Sequence, residues 1–349
     1  MPTAALVSFR LGGTDGVSIE ADKWAGALRQ LGWDVMTVAG SGPVDIVLEG
    51  LAIDATAPPE RAELVDALAP ADLVVIENLC SLPLNPPASA LVASVCAGRP
   101  AVLHHHDLPW QRPHLAHLPA PPDDPHWAHV TINELSRHEL AAHAITATTV
   151  YNTFDPSPAR ADREAVRRSL GVDPATRLLL QPTRALARKN IEGGLALAEA
   201  VDGTFWLLGP AEDGYGPELD RLVAAARCPV RLGADGGAGG GRLRVAEAYA
   251  ACDAVLLPSH WEGFGNPSVE SATHWRPLAI GHYPVGRELA AFGFIWFDSD
   301  QPGPLGRWLD DPDEALLEHN LQVAATYFNV ADLPARLAPI IASLPTDFG

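Results

Sequence analysis

The sequence predicts an α/β protein built from two doubly wound, Rossmann-like domains. Short apolar runs typical of buried strands alternate with helical stretches along most of the chain. A proline-rich, charged segment at residues 155–174 interrupts this alternation, and 349 residues are too many for one ordinary domain. We therefore expect one domain at residues 1–155 and a second at 156–330. Residues 331–349 are expected to form a C-terminal helix that is able to pack back on the first domain.

The first crossover sets the fold class. An apolar run at residues 4–9 ends in a glycine loop at residues 12–16, and apolar side chains then recur at helical spacing from Val17 to Leu31. Gly32 follows where a helix C terminus favours a left-handed residue, and residues 33–38 resume as a strand. This order of elements predicts a right-handed parallel crossover.

The same alternation continues through both domains, and helices are expected between the strands. In open α/β sheets ligands bind beyond the carboxyl ends of the strands, so functional residues are expected in the loops that follow them. A glycine-rich segment at residues 233–241 is expected to be a mobile loop. The remaining strands are predicted at residues 72–77, 100–105, 128–132 and 146–151 of the first domain, and at 177–181, 204–208, 229–232, 253–257, 277–281 and 294–297 of the second.

The charge balance excludes several classes of partner. Lys and Arg total 24 against 43 Asp and Glu, which gives a net charge of -19. Nucleic-acid binding and docking on anionic lipid both need clustered basic residues, so we expect neither a nucleic-acid partner nor a stable membrane association. No secretory leader and no apolar run of about 20 residues is evident. The four cysteines are scattered, which favours reduced thiols and a cytoplasmic location.

Two glutamates separated by eight positions form the most specific motif. Glu262 precedes a glycine loop, and Glu270 follows in the first turn of a helix that Asn266 is expected to cap and Pro267 to begin. A carboxylate only accepts hydrogen bonds and can hold vicinal hydroxyls, so the pair suits a polyhydroxylated ligand. The alternative is that Glu270 only complements the helix dipole while Glu262 is an ordinary loop acid.

Cationic residues follow the first predicted strand of the second domain. Arg184 and Lys189 are both placed to reach the region beyond that strand, where a diphosphate would lie. The chain has only one other lysine, Lys23, so the use of lysine beside Arg188 hints at a point-charge role. The alternative is a solvated cationic patch.

Histidines cluster in the first domain. Nine of the 13 lie between His104 and His143, and three of these are consecutive at the end of a predicted strand. Successive strand residues face opposite sides, so His104, His105 and His106 cannot all converge on one metal ion, and no known ligand spacing is present. A metal-dependent hydrolase built on residues 104–143 nevertheless stays as an alternative. Which of the three faces the ligand is left open.

Together these segments resemble the GT-B glycosyltransferases, specifically the retaining glycosyltransferase family 4 that includes glycogen-synthase-like enzymes and mannosyltransferases. The resemblance covers nearly the whole chain. It implies two domains that face each other across a cleft, and metal-independent transfer of a hexose from a nucleotide-diphosphate sugar with retained configuration. It rests on the Gly12-Gly13 loop, on His106 with Asp107, on Arg184 with Lys189, and on the spacing of Glu262 and Glu270.

The resemblance also implies a role for individual residues. Glu270 would bind the ribose hydroxyls, while Glu262 and the neighbouring loop amides would hold the transferred sugar. Arg184 and Lys189 would neutralise the diphosphate, which Gly13 would approach from the other domain. The implied donor-binding residues are Gly13, Arg184, Lys189, Glu262, Gly263, Phe264, Gly265, Asn266 and Glu270; the implied catalytic residues are His106, Glu262, Arg184 and Lys189; the acceptor side holds Gly16, Asp107 and Trp110.

The sequence leaves the substrates partly open. UDP-glucose and GDP-mannose remain equal candidates for the donor. The first 155 residues carry 7 Lys and Arg against 18 Asp and Glu, so a small soluble acceptor is expected, and no metal or other cofactor is required. A homodimer is compatible with the sequence, and a non-catalytic nucleotide-sugar-binding protein is a further alternative. Asp298 and Asp300 resemble the Asp-x-Asp of metal-dependent GT-A enzymes, but their position favours a strand followed by a helix cap.

Overall fold

A computed structural model describes residues 1–13, 15–235 and 243–345. The chain divides into an N-terminal unit, which comprises residues 1–153 and the described residues from Val330 onward, and a C-terminal unit at Phe154–Asn329. The chain passes between the units after Thr153, close to the boundary expected at residue 155. Most of the expected mobile loop at residues 233–241 lies outside the described residues.

The N-terminal unit holds a sheet of seven strands in the order β3-β2-β1-β4-β5-β6-β7, and all of its described pairings are parallel. Each of the six strands predicted for this unit is found, and β3 is an additional short edge strand. The strands are β1 Thr3–Ser8, β2 Asp34–Ala39, β3 Ile46–Val47, β4 Leu73–Glu77, β5 Ala101–His105, β6 Trp127–Thr131 and β7 Ala147–Thr149.

The C-terminal unit holds a second parallel sheet of six strands in the order β10-β9-β8-β11-β12-β13. Its last strand begins at Phe297 rather than at residue 294, because Phe294 instead packs its ring against Trp296 and Phe328. The strands are β8 Leu178–Gln181, β9 Thr204–Leu207, β10 Val230–Leu232, β11 Ala254–Leu257, β12 Leu278–Ile280 and β13 Phe297–Asp298.

Helices connect the strands of both sheets. No helix within the described ranges combines the length and the apolar character that crossing a membrane requires. The α-helices are α1 Gly16–Gln30, α2 Arg61–Leu68, α3 Pro86–Cys96, α4 Glu134–Ala142, α5 Arg163–Leu170, α6 Ile191–Ala200, α7 Gly216–Ala225, α8 Val245–Ala251, α9 Pro267–Thr273, α10 Pro284–Ala290, α11 Pro302–Asp310, α12 Glu314–Tyr327 and α13 Leu333–Ala342.

Strand β1 shows why helices cover both faces of the N-terminal sheet. Its successive side chains point to opposite faces, and all of them from Ala4 onward are buried apolar groups or a buried serine. Ala5 and Val7 belong to one apolar cluster with residues of α2 and α3. Ala4 and Leu6 belong to the other, which contains residues of α1 and α13. The C-terminal helix therefore packs on the N-terminal unit.

The strand order of each sheet reverses at one point. In the N-terminal sheet this point lies between β1 and β4, and in the C-terminal sheet it lies between β8 and β11. Neighbouring loops diverge at such a position and leave room for a ligand at the carboxyl ends of the strands. The side chains that follow these four strands, together with those that follow β5, are thus placed to form sites.

Candidate active site

A buried ion pair lies at the reversal point of the C-terminal sheet. Lys189 follows β8 and Glu262 follows β11, and the Lys189 Nζ atom lies 2.5 Å from both carboxylate oxygens of Glu262. Arg188 Nη1 contacts the same carboxylate at 3.3 Å, and the Ser259 hydroxyl donates to it at 2.6 Å. Two cations and one anion leave this cluster with one net positive charge, which suits an anionic ligand.

Burial and charge act in opposite directions on this pair. Burial disfavours ionisation of Glu262, but the charges of Lys189 and Arg188 hold the pKa of its carboxyl below the ordinary value. Burial also lowers the pKa of the Lys189 ammonium, against the attraction of Glu262. The two side chains stabilise each other's charged forms in a place where neither would be stable alone.

Arg184 completes the cationic group. Its Nη1 atom forms an ion pair with Glu212 at 2.5 Å, and both side chains are about one third exposed. The Arg184 charge also contributes to lowering the pKa of Lys189, so the two predicted cations lie in the same region. The structure therefore brings Arg184, Lys189 and Glu262 together, and it adds Arg188, Ser259 and Glu212. Nothing in the local sequence marks Ser259 or Glu212.

The helix that follows the glycine loop begins at Pro267, as predicted, but the predicted cap is wrong. Asn266 has helical backbone angles of φ -44° and ψ -40°, and its side chain does not cap the helix. A capping side chain needs an extended backbone to reach the first amides, and Asn266 has already turned into the helix. It contributes through its carbonyl, which accepts from the Glu270 amide at 2.9 Å.

The loop itself is tightly packed. Phe264 buries its ring near those of Phe154 and Phe328, so its side chain belongs to the core. Gly265 has a φ of +88°, and a Cβ atom at this position would lie 2.4 Å from the Tyr283 hydroxyl. That hydroxyl is buried and has no hydrogen-bond partner in the described part of the chain. Tyr283 thus fills the space beneath the loop and excludes any side chain at residue 265.

Glu270 has a defined position in the first turn of α9. The Tyr249 hydroxyl donates to Glu270 Oε2 at 2.8 Å, and the Tyr249 ring stacks on His274 at 4.6 Å. Burial, with the Glu270 charge as a further cause, raises the pKa of Tyr249 well above its ordinary value, so this hydroxyl stays a donor. Glu270 itself is partly exposed. A buried tyrosine therefore orients a carboxylate that a ligand can reach.

A second polar cluster follows β4 and β5 in the N-terminal unit. Glu77 Oε2 lies 2.8 Å from His104 Nδ1 and 2.9 Å from His106 Nε2, and all three residues are buried. The His104 ring also stacks on Trp24 of α1 at 4.1 Å. Burial opposes ionisation of Glu77, but the two imidazoles lower the pKa of its carboxyl to about 2. Glu77 is therefore a buried carboxylate at neutral pH.

The strand period separates the three consecutive histidines. His104 and His106 share one side, whereas His105 points to the other and pairs with His129 at 2.9 Å. The acid that joins them, Glu77, was not predicted. The sequence did hold a signal for it, because Glu77 is an acidic residue at the end of the apolar run of β4. That strand lies beside β5, which leads into the histidines.

The residues expected on the acceptor side lie around these strand ends. Asp107 pairs with Arg112 at 2.9 Å, and the Trp110 indole donates to Glu139 at 3.0 Å. Gly13 and Gly16 flank Asp15, whose side chain caps α1 by accepting from the Ser18 amide. Asp107 and Trp110 are therefore engaged in contacts within their own unit, and Gly16 is the first residue of α1.

Two groups of described residues have metal-ligating atoms close to one another. Glu77, His104 and His106 form the first, and His282, Asp298 and Asp300 form the second. Imidazole and carboxylate ligands of this kind suit Zn²⁺. The atoms of the first group already hydrogen-bond one another, and the second group is largely exposed. The expectation that no metal is required stays a prediction.

Comparisons with known proteins agree with this architecture. No protein-family model matches the chain. The mannosylglucosylglycerate synthase of Thermotoga maritima is 26% identical over 94% of this chain and 97% of its own length. Its namesake from Petrotoga mobilis is 24% identical over 83% and 84%. The Anabaena HepE protein, solved in complex with UDP and glucose, superimposes with a TM-score of 0.74 at 19% identity over 99% of this chain and 100% of that chain.

The chain has the GT-B fold. The two parallel sheets and the relation to solved glycosyltransferases confirm the expected fold of two doubly wound, Rossmann-like domains. The named sequence relatives confirm the expected enzyme class, a hexosyltransferase.

Proposed function

We propose that this protein is a retaining glycosyltransferase of family 4 that transfers a hexose from a nucleotide-diphosphate sugar to a small soluble acceptor. We place the reaction in the cytoplasm and propose that it needs no metal ion. The observation that carries the proposal is the partly exposed Glu270 carboxylate, which Tyr249 orients eight residues after Glu262. Within the GT-B fold, this arrangement presents an acceptor-only group for ribose hydroxyls beside a cationic cluster.

The charges of the cluster fit the proposed chemistry. Breaking the bond between sugar and phosphate builds negative charge on the departing phosphate and positive charge on the sugar ring. Preorganised cations at the phosphate lower that barrier, and Arg184, Arg188 and Lys189 all follow β8. In a front-face mechanism the departing phosphate helps to deprotonate the acceptor on the same face of the sugar. The enzyme then needs no nucleophile of its own.

The donor is proposed as GDP-mannose or UDP-glucose, and the comparisons favour different members of this pair. The Thermotoga and Petrotoga relatives are named for a mannosylated product, whereas HepE has been solved with UDP-glucose. The small acceptor is supported by the names of the same two relatives, which describe a glycosylated glycerate. The acidic balance of the N-terminal unit supports a small soluble acceptor as well.

A ligand screen followed by turnover tests the proposal. Thermal shifts are measured with UDP, GDP and ADP, each with and without EDTA, and the diphosphate that stabilises the protein names the donor base. GDP-mannose and UDP-glucose are then incubated with small hydroxylated acceptors, and product formation is followed by mass spectrometry. We expect a shift and a product, both insensitive to EDTA. A chelator-sensitive melt without any nucleotide effect would instead favour the metal-dependent hydrolase.

The same assay separates the remaining alternatives. A non-catalytic nucleotide-sugar-binding protein would show the thermal shift but neither product nor slow donor hydrolysis. Vesicles that contain a glycolipid acceptor serve as the second arm. Efficient turnover of that lipid at the membrane would refute the small soluble acceptor. The anomeric configuration of the product, read by NMR, tests retention.

A further inference from the structure

We propose that Glu77 is a positioning residue that fixes the tautomer of His106, so that the Nδ1 atom of this ring is presented to a substrate hydroxyl as a hydrogen-bond acceptor. The proposal rests on the proposed transferase function and assigns a task to an acid that the sequence motifs do not mark. Three observations support it. One oxygen of Glu77 contacts both imidazoles, hydrogen bonds hold the backbone on either side, and His106 is more exposed than His104.

One oxygen of Glu77 receives both imidazoles. Oε2 lies 2.8 Å from His104 Nδ1 and 2.9 Å from His106 Nε2. A carboxylate offers no proton, so each of these nitrogens must be the protonated one. In its neutral form His106 is therefore the Nε2–H tautomer, and its Nδ1 atom carries a lone pair. In the described part of the chain no hydrogen bond reaches His106 Nδ1, so this acceptor remains for a ligand.

The backbone around His106 is held as firmly as its ring. Asn78 Oδ1 accepts from the amides of both His106 and Asp107 at 3.1 Å. On the adjacent strand, the Ser8 hydroxyl donates to the Glu77 carbonyl at 2.9 Å. The Glu77 carboxylate and the Asn78 amide oxygen thus fix His106 at two points, which is how an outer partner orients a functional imidazole.

Access distinguishes His106 from His104. The His106 side chain is 6% exposed to solvent, whereas the His104 side chain is 1% exposed and stacks on Trp24. His104 Nε2 is buried without a partner. Helix α1 also brings the ion pair of Glu20 and Lys23 to this side of the sheet. Of the two imidazoles on Glu77, only His106 is placed to meet a ligand.

A metal site at the same atoms predicts the opposite tautomer. A metal ion bound by Glu77, His104 and His106 would take the lone pairs of His104 Nδ1 and His106 Nε2, so the proton of His106 would move to Nδ1. The imidazole tautomer therefore decides between a hydrogen-bonded positioning network and a metal centre, without reference to activity.

The test measures the tautomer directly. The protein is labelled with ¹⁵N-histidine, the imidazole signals are recorded in long-range ¹H–¹⁵N spectra, and the His106 signal is assigned by its loss in His106→Gln. We expect the Nε2–H tautomer in the wild type and no stoichiometric metal by elemental analysis. The Nδ1–H tautomer, a ring protonated at both nitrogens at neutral pH, or one bound metal ion per chain overturns the proposal. This measurement needs neither a Glu77 variant nor a known substrate.

The variant Glu77→Gln adds a functional readout. The neutral amide oxygen is a weaker acceptor than the carboxylate and holds the proton on His106 Nε2 less firmly. We therefore expect the His106 signal to show a larger Nδ1–H fraction and kcat/KM to fall about tenfold or more. His105→Gln is the matched control, since His105 is also buried, at the end of β5, but faces the other side. This variant should leave the His106 tautomer and kcat/KM unchanged. Lost turnover in Glu77→Gln with an unchanged His106 tautomer would mean a merely structural acid. A wild type without transferase activity would instead refute the proposed function and leave the tautomer result standing.

Discussion

The Lys189 ammonium is bound by both carboxylate oxygens of Glu262, 2.5 Å from each, in a place where both residues are more than nine-tenths buried. The two residues are 73 positions apart and follow β8 and β11, the strands between which the sheet order reverses. The contact joins a residue expected at the diphosphate with one expected at the transferred sugar. The two expected tasks thus depend on a single electrostatic unit.

Removing one member of this pair should destabilise the protein strongly. In Lys189→Met the Glu262 carboxylate loses its main partner while staying buried, and we expect the free energy of unfolding to fall by about 3 kcal/mol. Urea denaturation measures the change. Lys189→Met combined with Glu262→Met should recover part of the loss, because no unpaired charge remains. The exposed Arg221–Glu218 pair is the control, and Arg221→Met should leave stability nearly unchanged. Equal effects of Lys189→Met and Arg221→Met would contradict the interpretation.

Glu270 should carry much of the donor affinity. We expect Glu270→Ala to weaken nucleoside-diphosphate binding by about tenfold or more, since hydrogen bonds to a charged group are lost, while the protein stays folded. Tyr249→Phe keeps the carboxylate but removes the donor that orients it, so its effect should be smaller. Isothermal titration with the diphosphate that stabilises the wild type provides the comparison, with Glu218→Ala as an exposed control. Unchanged affinity in Glu270→Ala would remove this residue from the site.

The close approach of Gly265 and Tyr283 gives a steric prediction. Gly265→Ala should destabilise the protein for two reasons. A residue with a Cβ in this left-handed backbone costs about 1–2 kcal/mol. The new Cβ would also overlap the Tyr283 hydroxyl. Gly214 has a φ of +75° and open space around its Cβ position, so Gly214→Ala reports the backbone cost alone. We expect Gly265→Ala to lower the melting temperature more than Gly214→Ala does. Adding Tyr283→Phe should restore part of the difference, and an equal loss in both alanine variants would argue against the overlap.

His274 should make stability depend on pH. Burial, assisted by the Arg276 charge, lowers the pKa of this imidazole to about 4, whereas in the unfolded chain it titrates near 6.5. Between these pH values the unfolded chain binds a proton at His274 that the folded chain does not. The stability that the neutral His274 contributes is therefore fully present above about pH 6.5 and is lost as the pH falls towards 4. His274→Phe keeps the stacking on Tyr249 and removes the titration. The free energy of unfolding of both proteins is measured by urea denaturation at pH 7 and pH 5. From pH 7 to pH 5, the wild type should lose more stability than His274→Phe does. A difference that stays constant would be inconsistent with the lowered pKa.

Much of the fold follows from local patterns. Apolar runs of four to six residues between amphipathic helices predict buried parallel strands, because such strands are covered on both faces. All six strands predicted for the N-terminal unit form, and only the short β3 was added. Asn266 shows the limit of local patterns, since a residue with strong capping preference here takes helical backbone angles instead.

The sequence by itself determined the alternation of elements, the start of α9 at Pro267, and the rule that the three consecutive histidines cannot all face one side. These follow from backbone periodicity and from residue preferences that act over a few positions. Only the tertiary structure decided which polar side chains meet: Lys189 with Glu262, Tyr249 with Glu270, and Glu77 with the two histidines. Each of these contacts joins different strands or helices. Their partners therefore depend on strand order and register, which bring together residues that are remote along the chain.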